Sequence, residues 1–415
     1  MFNDLQGIGS QITGRAKIKV IGIGGAGNNA VNRMLSAGIN SADYYVVNTD
    51  SQVLMLSPCE NKIQIGSALT KGLGAGADPE VGRAAAEESK DLLTEAVKGT
   101  DLLFITAGMG GGTGTGAAPV LAKIARDLKI LTIAVVTEPF SFEGRQRLEN
   151  TAKGLDNLKK YVDTLIVIPN DKIKTVVPKH TPIKEALRVA DDILKQSIKG
   201  LTELIVNPAL INLDFADVKT ILKDRGVAHL GVGVAKGDNR VVEAVRLAVN
   251  CPLLETTIEG ARGVILNVVG GEDLTIDEVT DAAELIKSVV DASANIIFGA
   301  RIDPNVQDEV EITIIATSFP GYDSKLHDEP KSGYSNISSY APDSYSRRLS
   351  VTEPVYKTQQ YPSSSERSYS SSVNQQLNQP VRREPEPEII IERPAEKNIP
   401  KFAQILKNLG KRRDD

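Results

Sequence analysis

Residues 101–126 read Asp-Leu-Leu-Phe-Ile-Thr-Ala-Gly-Met-Gly-Gly-Gly-Thr-Gly-Thr-Gly-Ala-Ala-Pro-Val-Leu-Ala-Lys-Ile-Ala-Arg. The apolar run Asp101–Met109 breaks into seven glycines and threonines, Gly110–Gly116, and then into the helix-like stretch Ala117–Arg126. A strand that opens into such a loop ahead of a helix wraps backbone N–H donors and a helix N-terminus around an anion, so phosphate is the expected ligand. Gly110, Gly111, Gly112 and Gly114 can take positive φ at no steric cost and let the main chain come close, while Thr113 and Thr115 add hydroxyl donors. The loop has neither the spacing nor the lysine of G-x-x-x-x-G-K-[ST], so charge must be balanced by main-chain dipoles, the helix end and a metal ion carried in with the nucleotide. A glycine-rich linker is the bland alternative, but its place between a buried-type strand and a helix argues against it.

Upstream and downstream of this loop, short β-branched runs alternate with helical stretches from Ala16 to about Pro169. The runs are Lys17–Ile23, Asp43–Asn48, Asp101–Thr106, Ile130–Val136 and Thr164–Ile168. This is the pattern of βαβ units, and several runs are apolar on both faces, as strands covered by helices on both sides must be. The first run ends in Gly22-Ile-Gly-Gly-Ala-Gly27, which fits G-x-G-x-x-G, with Asp50 about 20 residues on. Alone this would suggest a dinucleotide-binding dehydrogenase. A second and richer phosphate loop suits a single triphosphate gripped from two sides better. Ile183, Leu187, Ala190, Leu194, Ile198, Leu201 and Ile205 then fall at helical spacing and predict one long helix. Strands at 229–235, 263–269, 295–302 and 309–317, with helices at 241–249 and 276–290, predict a second, smaller α+β domain.

The chain has 415 residues, 41% of them hydrophobic, enough for two cores, and its net charge of −5 gives no reason to expect nucleic acid. Cys59 and Cys251 are far apart and, with only three histidines, lack metal-ligand spacing, so both are expected to be reduced. No run of 18 apolar residues and no signal-peptide pattern occurs, which predicts a cytoplasmic protein without a transmembrane segment. Composition changes after Pro320: residues 321–380 hold 15 serines and seven of the ten tyrosines, and are expected to be a disordered tether. Phe402, Ile405, Leu406 and Leu409 restore a helical spacing near the end, which suggests a docking segment at the tip of that tether.

The motif Ala107–Pro119, which contains the Gly110–Gly116 loop, resembles the signature of the tubulin/FtsZ family of polymerising GTPases. Gly24–Asn28, Val47–Asp50, Ile65–Ser67, Lys71–Ala77, Pro139–Gly144, Ile168–Asp171 and Asn212–Asp217 are similar to its bacterial cell-division members in the same order, over roughly Ala16 to Phe319. The resemblance implies an α/β, Rossmann-like GTP-binding domain with a parallel sheet over 16–180, after a flexible extension over 1–15. A long central helix over 181–206 and an α+β domain with a catalytic loop over 207–320 would follow, then a disordered linker over 321–397 and a partner-docking peptide over 398–415. It implies binding and hydrolysis of GTP to GDP with Mg²⁺ carried by the nucleotide, head-to-tail filaments, and a division ring at midcell on the inner face of the membrane.

By the same resemblance, Gly24, Gly25, Ala26, Gly27 and Asn28, with Gly110, Gly111, Gly112, Thr113, Gly114 and Thr115, hold the phosphates. Ala75, Gly76 and Ala77 lie beside the γ-phosphate, Glu143 and Arg147 reach the ribose and phosphate region, and Asn170 lies near sugar and base. Asp192 accepts from guanine N1–H and the exocyclic amine. Many members stack an aromatic residue on the base where this chain has Leu187, so affinity for the nucleotide is expected to be lower. Ile399–Phe402 matches a short tail peptide that docks onto membrane-anchoring division proteins of the FtsA, ZipA or SepF type.

Asn212, Asp214 and Asp217 form the carboxylate cluster suited to polarising a water. They lie beyond the long helix, whose 23 residues (183–205) at about 1.5 Å each span roughly 35 Å. The expectation is therefore catalysis in trans: Asp214 and Asp217 act on the nucleotide of the next molecule in a heterologous, filament-forming contact. Asp217 also reads as the N-cap of a helix over 217–222. A nucleotide-binding filament that never hydrolyses stands as the rival class.

Overall fold

The computed structural model describes residues 16–206, 209–211, 214–250, 258–304 and 306–319. The extension 1–15, Asn212, Cys251, the tether and the docking segment lie outside them.

Chain order begins with β1 (Ile18–Ile23), α1 (Gly24–Ser36), β2 (Asp43–Asn48), α2 (Ser51–Leu56) and β3 (Asn61–Gln64). Three helices follow, α3 (Ser67–Thr70), α4 (Pro79–Glu88) and α5 (Lys90–Val97), then β4 (Leu102–Gly108) and α6 (Thr113–Asp127). Next are β5 (Leu131–Glu138), a 3-10 turn (Ser141–Glu143), α7 (Arg145–Lys159), β6 (Thr164–Pro169) and α8 (Asn170–Val176). The long α9 (Ile183–Val206) leads to α10 (Phe215–Leu222) and β7 (Gly226–Val227). The remainder is β8 (His229–Lys236), α11 (Arg240–Val249), β9 (Gly263–Gly270), α12 (Ile276–Val289), β10 (Asn295–Ile302) and β11 (Glu309–Thr317).

Seven strands form one parallel sheet in the order β3-β2-β1-β4-β5-β6-β7. Its central strand shows why the sequence reads apolar throughout. Leu102 and Phe104 of β4 join the core that holds α1 and α9, whereas Leu103 and Ile105 join the opposite core with α4, α5 and α6. Period-two alternation thus buries both faces. The edge strands β3 and β7 were not anticipated: Asn-Lys-Ile-Gln is polar, and Gly226-Val227 is two residues long.

The second sheet runs β10-β9-β11-β8, with β9 and β10 parallel and β11 antiparallel to both neighbours. One face packs on α11 and α12 through Val264, Leu266, Val268, Ile312 and Ile314; Ile265 and Ile315 on the other face join the core of α9. Arg240, buried at the start of α11, pairs with Glu278 at 2.7 Å and with Asp273.

At 24 residues, α9 is about 36 Å long. Its apolar stripe is buried from Val189 to Leu204, but Ile183 and Leu187 are 61% and 45% exposed, so the first two members of the expected stripe are not core. After α10 the chain returns to the first sheet, where β7 pairs with β6 and the Thr164 hydroxyl donates to the Leu222 carbonyl. Cys59 is buried and free. No helix among the described residues is long and apolar enough to cross a membrane.

Candidate nucleotide site

β1 and β4 are neighbours, and the chain leaves them in opposite directions, to β2 and to β5. That is the switch point at which an open α/β sheet leaves a crevice beyond its strand ends. Both strands break into helices sooner than expected. Gly24 is already the first residue of α1 and Thr113 of α6, so Gly24–Asn28 and Thr113–Gly116 are first helical turns and only Met109–Gly112 is loop. The amides of Gly24, Gly25 and Ala26 and of Thr113, Gly114 and Thr115 have no acceptor within their helices. Neither helix has a side-chain cap or an acid in its first turn. By contrast, Asp50 caps α2 by accepting from the Gln52 and Val53 amides at 2.9 and 3.3 Å, and Asp78 caps α4 by accepting from the Glu80 amide at 2.9 Å. Asp50, the acid that a dinucleotide reading would set on the ribose, here has one oxygen engaged in capping a helix end.

Glycine brings the two bare ends together. A Cβ on Gly24 (φ +72°) would stand 3.0 Å from the Gly114 amide nitrogen, and one on Gly114 2.6 Å from the Gly108 carbonyl. α1 is seated on the sheet by Gly27, where a Cβ would meet the Thr106 carbonyl at 2.3 Å. Gly112 presses on Ala75 and Asp78, so the 75–77 segment joins the same cluster. Gly25, Gly76 and Gly111 face open space, with nothing within 4 Å of an added Cβ. Gly76 and Ala77 both have positive φ, +58° and +61°, a strained conformation for an alanine.

The side chains divide between lining and support. Ala26 is half-buried, its methyl against Gly108. Asn28 is 1% exposed; oriented with its amide nitrogen toward the carbonyls of Gly22, Gly24 and Val47 (2.9, 3.0 and 3.2 Å), it ties β1, α1 and β2 together. Thr115 is also buried, and its Oγ1 accepts from the Gly110 amide at 2.8 Å. Thr113 shares a 2.7 Å hydrogen bond with Thr49, a residue that the sequence reading quoted within a motif but assigned no role.

Glu143 accepts from the Phe140 amide at 2.9 Å and pairs with Arg147 one helical turn on. Asp171 accepts from the Ser141 amide and from Lys174, at 3.1 and 2.6 Å. Partial burial opposes its ionisation, but Lys174 and Ser141 prevail and hold its carboxyl below the ordinary value. Asn170, at the start of α8, is buried with its Oδ1 lacking a partner, an acceptor left for a donor from outside the described residues. Asp192 faces Lys195 at 3.0 Å and Arg188 at 3.9 Å.

Asp214 and Asp217 are both exposed. Asp217 is not the cap: α10 begins at Phe215, and Asp214 is the residue that caps it, accepting from the Asp217 amide at 2.8 Å. The stretch before them is pinned to the second sheet, where Ile211 and Ala300 exchange hydrogen bonds of 3.2 and 3.3 Å.

Residues 17–178 match the GTPase domain of the Tubulin/FtsZ family, and residues 226–320 the C-terminal domain of the FtsZ family. Among solved structures, an empty FtsZ dimer from M. jannaschii is 46% identical with a TM-score of 0.70, covering 73% of this chain and 88% of that one. The chain belongs to the FtsZ family. A tryptophan-to-tyrosine variant of the same M. jannaschii FtsZ matches with the same identity and TM-score, over 91% of its length. CetZ1 from Haloferax volcanii, in a GDP-bound monomer, shares the fold at 24% identity and a TM-score of 0.65, covering 74% of this chain and 96% of its own. As an FtsZ-family member the chain is a GTPase and a GTP-dependent, polymerising cell-division protein.

Proposed function

We propose that the triphosphate of GTP lies across the converging N-termini of α1 and α6, and that hydrolysis is completed by Asp214 and Asp217 of the neighbouring subunit. The observation that carries this is the pair of uncapped, acid-free helix ends held together by Gly24 and Gly114. Two such ends offer unpaired amides and about half a positive charge each, a donor set suited to phosphate.

Gly25, Gly76 and Gly111 leave the space for the nucleotide, Glu143 and Arg147 approach its sugar and phosphates, and Asn170 and Asp192 face sugar and base. Mg²⁺ bound with the nucleotide would supply charge neutralisation there. In sequence, α9 and its length of about 36 Å lie between the cradle and the carboxylates. An acid pair at the far end then fits a head-to-tail copy, in which Asp214 orients the attacking water while keeping one oxygen on its own helix cap. Asn212, outside the described residues, would complete this cluster. Such contacts yield filaments, and ring formation at midcell follows if Ile399–Phe402 docks onto a membrane anchor of the FtsA, ZipA or SepF type.

Asp214→Asn retains a capping side chain. The variant is expected to bind GTP and sediment with it, to release phosphate slowly, and to suppress turnover when mixed with wild type. GTPase activity per subunit that does not rise with protein concentration would overturn the trans arrangement. Removal of residues 398–415 should spare sedimentation and abolish recruitment to vesicles bearing an anchor protein; undiminished recruitment would remove the docking role.

A further inference from the structure

Thr49 and Thr113 share their hydrogen bond of 2.7 Å across 64 positions of sequence. Thr49 directly follows β2 and is fully buried, whereas Thr113 is half-buried as the first residue of α6. The backbone on either side of Thr49 is pinned: the Asn48 carbonyl accepts from the Ile65 amide at 3.0 Å, and the Ser51 amide donates to the Gly72 carbonyl at 3.1 Å. Thr113 stands where the two helix ends meet, since a Cβ on Gly24 would lie 3.5 Å from the Thr113 Cβ. We propose that Thr49 is a positioning residue for GTP binding: its hydroxyl donates to Thr113 and thereby keeps the Thr113 hydroxyl hydrogen for the phosphate. This rests on the reading of Thr113 as a phosphate ligand.

Counting hydrogens selects that direction. A hydroxyl has one hydrogen to give and two lone pairs with which to accept. An ionised phosphate oxygen only accepts, so Thr113 can meet it only with that single hydrogen. Thr113 must then accept from Thr49, and Thr49 must be the donor of the pair. Donation in the reverse sense would spend the Thr113 hydrogen on Thr49 and turn a lone pair toward the phosphate. The chain from Thr49 through Thr113 to phosphate runs in one sense, so each hydrogen bond polarises the next. Without the Thr49 hydroxyl, neither the Thr113 rotamer nor the direction of its hydrogen is held, and both must be ordered when GTP binds. A Thr49 that served the fold alone would affect stability, while its effect on GTP would be independent of the Thr113 hydroxyl.

The test is a double-mutant cycle on GTP affinity in the full chain, measured by equilibrium binding below the assembly threshold. The melting temperature of the nucleotide-free protein is the folding control. Thr49→Val is expected to weaken GTP by roughly three- to tenfold when Thr113 is present, the scale of one net hydrogen bond. In the Thr113→Val background the same substitution should leave the affinity almost unchanged. Thr49→Ser, which keeps the hydroxyl, should bind GTP as wild type does. Equal losses in both backgrounds, or no loss in Thr49→Val, overturn the inference while the phosphate reading of Thr113 stands if Thr113→Val alone weakens GTP. Wild-type affinity in Thr113→Val overturns both. Should Thr49→Val fail to fold, Thr49→Ala completes the same cycle.

Discussion

Gly27→Ala and Gly25→Ala, two positions apart in one helical turn, should have opposite effects on stability for reasons visible in their surroundings. At Gly27 a Cβ would lie 2.3 Å from the Thr106 carbonyl oxygen, and both atoms belong to backbone. A carbon–oxygen contact needs roughly 3.3 Å, so α1 must retreat from β4 by about 1 Å. Overpacking of this kind costs about 3 kcal/mol when no flexible side chain can yield, offset by about 1 kcal/mol of helix propensity. The net loss of about 2 kcal/mol corresponds to a fall of roughly 3 °C in Tm for a folded unit of about 300 residues. The same retreat separates Gly24 from Gly114, so GTP affinity falls as well. At Gly25 nothing lies within 4 Å of the new methyl. Alanine there should raise Tm by a degree or more through propensity, yet weaken GTP at least tenfold by occupying the space of the phosphates. Differential scanning calorimetry of the nucleotide-free chain, with fluorescent-GTP titration, separates the two effects. A Gly25→Ala protein with wild-type affinity would place the phosphates elsewhere, and a Gly27→Ala protein with wild-type Tm would refute the packing argument.

Leu187, half exposed near the start of α9, can be replaced by the aromatic residue that many family members carry. Leu187→Phe is expected to tighten GTP by roughly two- to tenfold, the yield of one stacking contact at about 0.5–1.5 kcal/mol, and an unchanged dissociation constant would show that the base does not reach this side chain. Glu311 on β11 is pushed above its ordinary value of 4.5 by burial, with Glu203 and Glu309 adding to the shift and Lys199 and Arg301 opposing it. A folded-state value above the unfolded one contributes stability below the ordinary carboxylate range and loses it as pH rises through the raised value. Glu311→Gln should therefore raise Tm at neutral pH and leave it nearly unchanged near pH 4; equal Tm values at both pH values would contradict the assignment.

The first sheet was legible because each buried strand is a β-branched run broken by glycine, and strand ends differ from the sequence reading by a residue or two. Helix starts were less legible. Thr113 and Gly114 have poor helical propensity, and nothing in their local chemistry says that the turn they form is helical; the close packing of Gly114 on Gly108 and of Gly116 on α4 imposes it. The strands β3 and β7 escaped notice because their pairing, not their side chains, makes them strands. At the site, the glycines announced themselves by type and spacing. Asn28 and Thr115 look from sequence like ligand donors, while in the fold their polar atoms serve the backbone of the cradle. That division depends on which backbone groups, 4 to 20 positions away, the fold turns toward these side chains, and a motif does not encode it. Thr49 could have been found from its place beside Asp50, but that spacing does not distinguish a site from an ordinary turn.

The electrostatics of the cradle explain why its occupancy and its partner are linked. Two helix N-termini, each with about half a positive charge, are pressed together at Gly24 and Gly114 with no acid in either first turn. Two like partial charges set side by side favour an anion between them, which is the electrostatic basis of the proposed phosphate site. At the other end of α9 the chain leaves two carboxylates exposed. Asp214 spends one oxygen on the Asp217 amide, which leaves its other oxygen exposed beside the exposed Asp217. The donors belong to α1 and α6 and the acceptors to the start of α10, with the whole of α9 between them in sequence. In the proposed head-to-tail stack, the carboxylates of one subunit would meet the attacking water beside the triphosphate that the helix ends of the next subunit would hold.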